Sequence, residues 1–178
     1  GKWGSVALDL YTPVGATAPE VKPCVVLMHG GSYVNGDSKG DNMAFSAQWF
    51  ARRGFVAASL NYRPRGAFGL VPSGDFSFAH RFSTRVVDGK EEKYGFLPSF
   101  ALMYPAIRDA KSAVRWIKAH ARSLGVDPEC VVAYGSSAGG TSAIALGAND
   151  DQDYAIDLQG VDPTLEHLTQ SSSVAAVV

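Results

Sequence analysis

The chain has 178 residues, a length that fits one domain and is long enough to bury a hydrophobic core. Hydrophobic residues make up 46% and charged residues 19%, which excludes a disordered chain and is typical of a globular protein. The formal net charge of −1 gives no reason to expect nucleic acid as a partner, and no apolar run approaches the roughly 20 residues of a membrane span.

The first third of the chain predicts strands and a helix in alternation. Residues 5–12 alternate apolar and polar side chains, as in a half-buried strand, and the apolar run 24–28 predicts a strand covered on both faces. Residues 43–53 predict a helix that ends at Gly54, and residues 55–60 predict the next buried strand.

The strongest helix signal lies in the second half. Its apolar residues step by three and four positions, which makes one continuous stripe along a helix: Ile107, Ala110, Val114, Ile117, Ala121 and Leu124. Pro105 is expected in the first turn of this helix and Gly125 just beyond its end. A buried strand over 130–134, a helix from 138 to about 146 and a strand over 174–178 follow.

Strands that alternate with helices predict the α/β class, with a mostly parallel sheet and helices on both faces. We expect one domain over residues 1–178. Cys24 and Cys130 begin two of the predicted strands, and two cysteines are too few for a disulfide scaffold, so we expect two free buried thiols.

A G-x-S-x-G motif stands between the strand over 130–134 and the following helix: Gly135-Ser136-Ser137-Ala138-Gly139. A sharp strand-to-helix turn exposes the central serine at the carboxyl edge of the sheet, so Ser137 is the predicted nucleophile and Ser136 a bystander. The helix start directs backbone N–H groups at developing negative charge, and Ala138 is expected to donate one of them.

A second glycine-rich turn, His29-Gly30-Gly31-Ser32, follows the strand over 24–28. The oxyanion of a tetrahedral intermediate needs two or three fixed donors, and losing one typically costs about 10²–10³ in rate. The backbone amides of Gly31 and Ser32 are the predicted donors. A tight turn without any catalytic part is the alternative reading of this segment.

Together, four segments resemble the α/β-hydrolase carboxylesterases, closest to the hormone-sensitive-lipase-like and feruloyl- or acetyl-esterase-like branches. They read H-G-G-S-Y-V-N-G-D from His29, N-Y-R from Asn61, D-A-K-S-A-V-R-W-I-K-A-H-A-R-S-L-G-V-D-P from Asp109, and G-S-S-A-G-G from Gly135. The resemblance implies an acyl group seated over Gly31, Ser32 and Ala138. Ser32 stands where the family most often has a third glycine, and its backbone N–H survives that exchange.

Ser137 needs a base and an orienting acid, which follow the nucleophile along the chain in this fold. His167 is the only later histidine, but we expect it near the opposite edge of the sheet, and the acidic run 150–153 is expected to be a solvated loop. The acid and base are therefore expected beyond Val178, with this chain a fragment of a longer hydrolase that has little activity alone. His29 is expected to hold the glycine loop.

Three further polar side chains have expected roles outside the triad. His120 is expected to be exposed, and His80 is a candidate for substrate contact. The resemblance implies that Asp109 braces the helix.

Residues 65–103 form the longest irregular stretch and should overhang Ser137. Six of the nine phenylalanines and one tyrosine lie there: Phe68, Phe76, Phe78, Phe82, Phe96, Phe100 and Tyr94. A segment this long and aromatic is uncommon as an idle loop, so it predicts a lid or the wall of a substrate pocket. A satellite core beneath the loop is the alternative.

The leading interpretation is a serine hydrolase that cleaves a small-molecule carboxylic ester through an acyl-enzyme on Ser137. The pattern predicts neither metal nor organic cofactor, because no His/Cys cluster has ligand spacing. A peptidase of the same fold and a non-catalytic ligand-binding protein on a hydrolase scaffold are the alternatives.

Overall fold

The computed structural model describes residues 6–15, 21–40, 42–64, 84–87, 89–93, 99–154 and 167–178. Seven strands lie in these segments: β1 (Leu8–Tyr11), β2 (Lys22–Met28), β3 (Val56–Leu60), β4 (Thr84–Val87), β5 (Lys90–Lys93), β6 (Val126–Gly135) and β7 (Ala176–Val177). The central sheet has the order β1-β3-β2-β6-β7, and β4 and β5 pair as a separate antiparallel ribbon.

Within the same segments, four helices accompany the strands: α1 (Met43–Ala51), α2 (Ser99–Ala119), α3 (Ala121–Leu124) and α4 (Ala138–Ala148). The expected start of α2 was wrong, because Pro105 lies inside the helix, six residues after Ser99. Proline is common in the first turn of a helix because the N–H group that it lacks has no partner there. In α2 the missing N–H lies farther along the helix, where it would otherwise make a backbone hydrogen bond. Gly125 ends α3 with a φ of 64°.

The prediction of an α/β fold with a mostly parallel sheet is confirmed. Strands β3, β2, β6 and β7 run parallel, and only β1 is antiparallel to its neighbour β3. Strand β7 is shorter than expected, although Ala175 and Val178 extend its ladder with hydrogen bonds of 2.8 Å to Val131 and Ala133.

Alternate residues of β2 face two different cores, which explains its continuous apolar run. One core joins Cys24, Val26 and Met28 to the stripe of α2, whose members from Ile107 to Ile117 are buried. The other joins Val25 and Leu27 to α1. Helices therefore cover both faces of the sheet, as the pattern predicts.

The register of the sheet decides where the two glycine-rich turns lie. Met28, the last residue of β2, is paired with Gly135, the last residue of β6. Because the strands are parallel, the turns that follow them leave the same edge side by side. The predicted nucleophile and the predicted oxyanion donors therefore share one edge, although they are about a hundred residues apart in sequence.

Most of the predicted lid over residues 65–103 lies outside the described residues, as does His80. The described part of that range consists of the ribbon β4–β5 and the beginning of α2. None of the helices described here combines the length and the apolar composition needed to cross a membrane.

Candidate active site

Ser137 occupies a strained turn between β6 and α4. Its φ of 53° and ψ of −117° belong to a region that non-glycine residues rarely adopt, and its side chain is exposed. It is the N-cap of α4 but makes no capping hydrogen bond. A serine at this position ordinarily caps its helix with its hydroxyl. The hydroxyl of Ser137 is therefore available for chemistry.

Two glycines allow the tight crossing of strand and helix. A Cβ added to Gly139 would lie 2.0 Å from the carbonyl oxygen of Met28, and one added to Gly135 would lie 2.2 Å from the carbonyl oxygen of Gly139. Both contacts are with backbone, which cannot rotate away as a side chain can. The small residues of the motif are thus required by the packing of α4 on the sheet edge.

The loop after β2 has three consecutive residues with positive φ: 107° at Gly31, 55° at Ser32 and 59° at Tyr33. It closes through hydrogen bonds from the amides of Val34 and Asn35 to the Gly31 carbonyl, at 2.9 and 3.2 Å. Within the described segments, the amides of Gly31 and Ser32 donate to no protein acceptor. Their N–H groups are available to an anion at this edge.

His29 supports the loop from below, as expected. It is fully buried, its Nδ1–H donates to the Gly30 carbonyl at 2.6 Å, and its ring stacks on Tyr62 with centroids 4.0 Å apart. The Tyr62 hydroxyl donates to the His29 carbonyl at 2.6 Å. Sequence reasoning missed Tyr62, although it lies within the quoted N-Y-R segment.

Tyr33 was also missed. Its side chain is buried, and its hydroxyl donates to the carbonyl of Ala138 at 2.7 Å and lies 3.2 Å from Ser142 Oγ. Burial raises the pKa of this hydroxyl above its ordinary value of 10.0, against the smaller opposing effect of Ser142, so it stays protonated at neutral pH. Tyr33 joins the glycine loop to the first turn of α4.

The other two described histidines lie far from Ser137. His120 follows α2, its Nδ1–H donates to the Trp116 carbonyl at 2.8 Å, and its ring is 5.3 Å from that of His167. This end of the helix leads through Gly125 to the amino ends of β2 and β6, opposite the edge of Ser137. His167 lies where it was expected. The expectation that His120 is exposed was wrong, because it is half-buried between Trp116 and His167.

The acidic run 150–153 does more than contact solvent. The Asp150 carbonyl accepts a hydrogen bond from the buried Lys111, and the Asp151 carboxylate accepts from Ser172 N at 2.6 Å and Ser172 Oγ at 2.7 Å. Partial burial acts to raise the pKa of Asp151, but the hydrogen bonds from Ser172 and Ser171 and the charge of Lys111 together lower that pKa. The run is a solvated loop, as expected, because residues 150–153 are all exposed, and its contacts also tie the segment before β7 to α2.

Asp109 lies on α2 and is almost fully buried. Its carboxylate accepts a hydrogen bond from the backbone N–H of Arg63 at 3.0 Å and another from the side-chain Nε of Arg63 at 2.8 Å. The Nη2 of the same guanidinium group also donates to this carboxylate. The residue thus fixes the chain that leaves β3 against α2, which agrees with a bracing role.

Cys24 and Cys130 are both free, the first buried and the second half-buried. Across the described ranges, no three His, Cys, Asp or Glu side chains come together in a way that could hold a metal ion.

Comparison with known proteins gives consistent similarities. The family model BD-FAE matches residues 8–70 and 98–178. Mouse carboxylesterase 3B is 31% identical over 141 residues, 79% of this chain and 20% of that protein. Esterase cest-33 of Caenorhabditis elegans is 32% identical over 146 residues, 80% of this chain and 22% of that protein.

Among solved structures, the butyrate-bound thermophilic esterase Est2 of Thermogutta terrifontis superimposes with a TM-score of 0.67 at 25% identity. The match covers 98% of this chain and 48% of that one. The chain thus spans about a fifth of the length of these curated relatives and about half of the solved structure.

Proposed function

Since this chain belongs to the BD-FAE family and has the α/β-hydrolase fold of esterases, we propose that it carries the nucleophile and the oxyanion hole of a carboxylic ester hydrolase. Ser137 is the nucleophile, and the backbone amides of Gly31, Ser32 and Ala138 hold the oxyanion. The substrate is a small-molecule carboxylic ester.

The reaction follows from these roles. Ser137 Oγ attacks the ester carbonyl while a base takes its proton, and the carbonyl oxygen becomes the oxyanion held by the three amides. Collapse of the tetrahedral intermediate expels the alcohol, which takes up the proton, and leaves the acyl group on Ser137. Water then attacks the acyl group on Ser137 in the same way, and collapse of the second tetrahedral intermediate releases the carboxylic acid and restores the serine.

The base and its orienting acid come from outside the described part of the chain. Of the three described histidines, His29 is buried and bound to the loop backbone, while His120 and His167 pack together at the opposite edge of the sheet. None of them is placed to take the proton of Ser137.

A single observation carries the proposal: the exposed Ser137, with its strained backbone and unused hydroxyl, lies beside the loop whose amides at Gly31 and Ser32 are available. Backbone strain of this kind costs on the order of 1–3 kcal/mol and persists where the surrounding structure imposes it, often at active sites. The esterase names of the relatives support the choice of ester hydrolysis.

The test uses a fluorophosphonate probe, which forms a covalent bond only with an activated serine. The protein expressed at its natural full length should be labelled on Ser137 and should hydrolyse p-nitrophenyl esters. Ser137→Ala should abolish both, whereas Ser136→Ala, a change at the exposed neighbouring serine, should leave both within a few-fold of the wild type. A wild-type protein that neither reacts with the probe nor cleaves esters would overturn the proposal in favour of a ligand-binding role.

A further inference from the structure

The backbone of residues 31–33 requires an anchor. Gly31 adopts its positive φ freely, but Ser32 and Tyr33 each carry a Cβ in the left-handed region, where the Cβ crowds the backbone. Two such residues in succession persist only where other contacts hold them. The internal hydrogen bonds of the loop end on the Gly31 carbonyl and do not reach the neighbouring helix.

The side chain of Tyr33 supplies a contact that does reach it. Only 7% of Tyr33 is exposed, and its hydroxyl donates its one proton to the Ala138 carbonyl at 2.7 Å. The 3.2 Å contact with the fully buried Ser142 is then a hydrogen bond in which Ser142 donates. The three groups form a chain, from Ser142 through Tyr33 to Ala138, in which each bond strengthens the next.

From this geometry we infer that Tyr33 is a positioning residue, which sets the spacing between the two sides of the oxyanion hole. It directly follows Ser32, a donor on the loop side, and it binds Ala138, the donor on the helix side. One side chain therefore links groups 105 positions apart in sequence. The inference rests on the proposed function, because it assigns Tyr33 to the same site.

The consequence for catalysis is specific. The amides must converge on an oxygen that carries full charge only in the transition state and the intermediate, so their spacing affects the chemical step more than substrate binding. Without the hydroxyl, the strained loop can relax away from α4. We therefore expect a loss in kcat with little change in KM, whereas a merely structural role would lower stability and leave kcat per folded molecule unchanged.

The experiment compares Tyr33→Phe with the wild type at natural full length, by kcat and KM on p-nitrophenyl acetate and by thermal unfolding. We expect kcat to fall on the order of 10-fold with KM within about twofold, a smaller effect than removal of an oxyanion donor itself. The control is Ser59→Ala, at a buried serine of β3 in the central sheet. The Ser59 hydroxyl donates to the backbone carbonyl of Ser38 at 2.6 Å, so this variant also deletes a buried hydroxyl that is bonded to a backbone carbonyl. It should lower the unfolding temperature and leave kcat unchanged.

Each outcome separates the inference from the proposed function. An active wild type with an unchanged kcat in Tyr33→Phe, or an equal fall of kcat in Ser59→Ala, overturns the inference and leaves the proposed function standing. A wild type that is not labelled at Ser137 overturns both. Should Tyr33→Phe fail to fold, Ser142→Ala decides: a roughly twofold to fivefold lower kcat supports the inference, and an unchanged kcat overturns it.

Discussion

Substitution of Gly139 by alanine should be strongly destabilising, because the start of α4 packs directly on the end of β2. The added Cβ would lie 2.0 Å from the Met28 carbonyl oxygen and 2.6 Å from that of His29, whereas ordinary contacts begin near 3.4 Å. The helix and the strand would have to separate by about 1.4 Å. That movement would break the 3.4 Å hydrogen bond from Ser136 N to the Met28 carbonyl and distort the turn that holds Ser137.

The magnitude follows from the rigidity of what the Cβ meets. Overpacking against movable side chains typically costs about 1–3 kcal/mol, and here the obstacle is backbone at the buried end of the central strand β2. We therefore expect Gly139→Ala to lower the free energy of unfolding by about 3 kcal/mol. With an m-value of about 2 kcal/mol/M in urea, the unfolding midpoint should fall by about 1.5 M.

Gly140→Ala is the matched control in the same helical turn. Its Cβ would meet its nearest neighbour, the Gly135 carbonyl oxygen, at 3.3 Å, and alanine is favoured over glycine in helices by up to about 1 kcal/mol. Its midpoint should stay within about 0.5 M of the wild type. Equal midpoints for Gly139→Ala and Gly140→Ala would refute the close crossing of α4 and β2.

Three further predictions concern the buried side chains of Asp109 and Cys24. Asp109→Ala should lower the free energy of unfolding by about 3 kcal/mol, because it leaves Arg63 without its buried carboxylate partner; a loss under about 0.5 kcal/mol in urea unfolding would contradict the bracing role. Burial and, to a smaller extent, the electrostatic effect of Cys130 raise the pKa of Cys24 from 9.0 to about 12. Iodoacetamide reacts with the thiolate, so at pH 8 it should modify the half-buried Cys130 before Cys24, which mass spectrometry can measure. Between pH 9 and 12 the folded state keeps the Cys24 proton that the unfolded state releases, so the free energy of unfolding should fall as the pH rises through this range. In Cys24→Ala this fall with pH should be shallower, and equal slopes for the variant and the wild type would contradict the raised pKa.

Much of the fold could be read from local patterns in the sequence. The apolar run of β2 and the helical stripe from Ile107 depend on the side chains themselves, because burial on two faces or on one stripe requires that spacing. The boundaries were less accurate: α2 begins at Ser99 rather than near Pro105, since the residues before the stripe carry no equivalent pattern.

Several residues of the candidate site could also be predicted from local patterns in the sequence. Gly135, Ser137 and Gly139 could be recognised because a sharp turn needs small residues at a fixed spacing around the serine. The roles of Gly31 and Ser32 were also predicted from the sequence, and their place beside Ser137 follows from the parallel pairing of β2 with β6.

Only the tertiary structure decided what holds these parts together. The contacts of Tyr33 with Ala138, of Arg63 with Asp109 and of Lys111 with Asp150 join residues separated by 105, 46 and 39 positions. A tyrosine, an arginine or a lysine has no local pattern that names a distant partner. The sequence by itself therefore predicted the candidate nucleophile Ser137 and the turn that bears it, because that prediction depends on neighbouring residues. The distance between the glycine-rich loop and the start of α4 depends on contacts that exist only once the chain has folded.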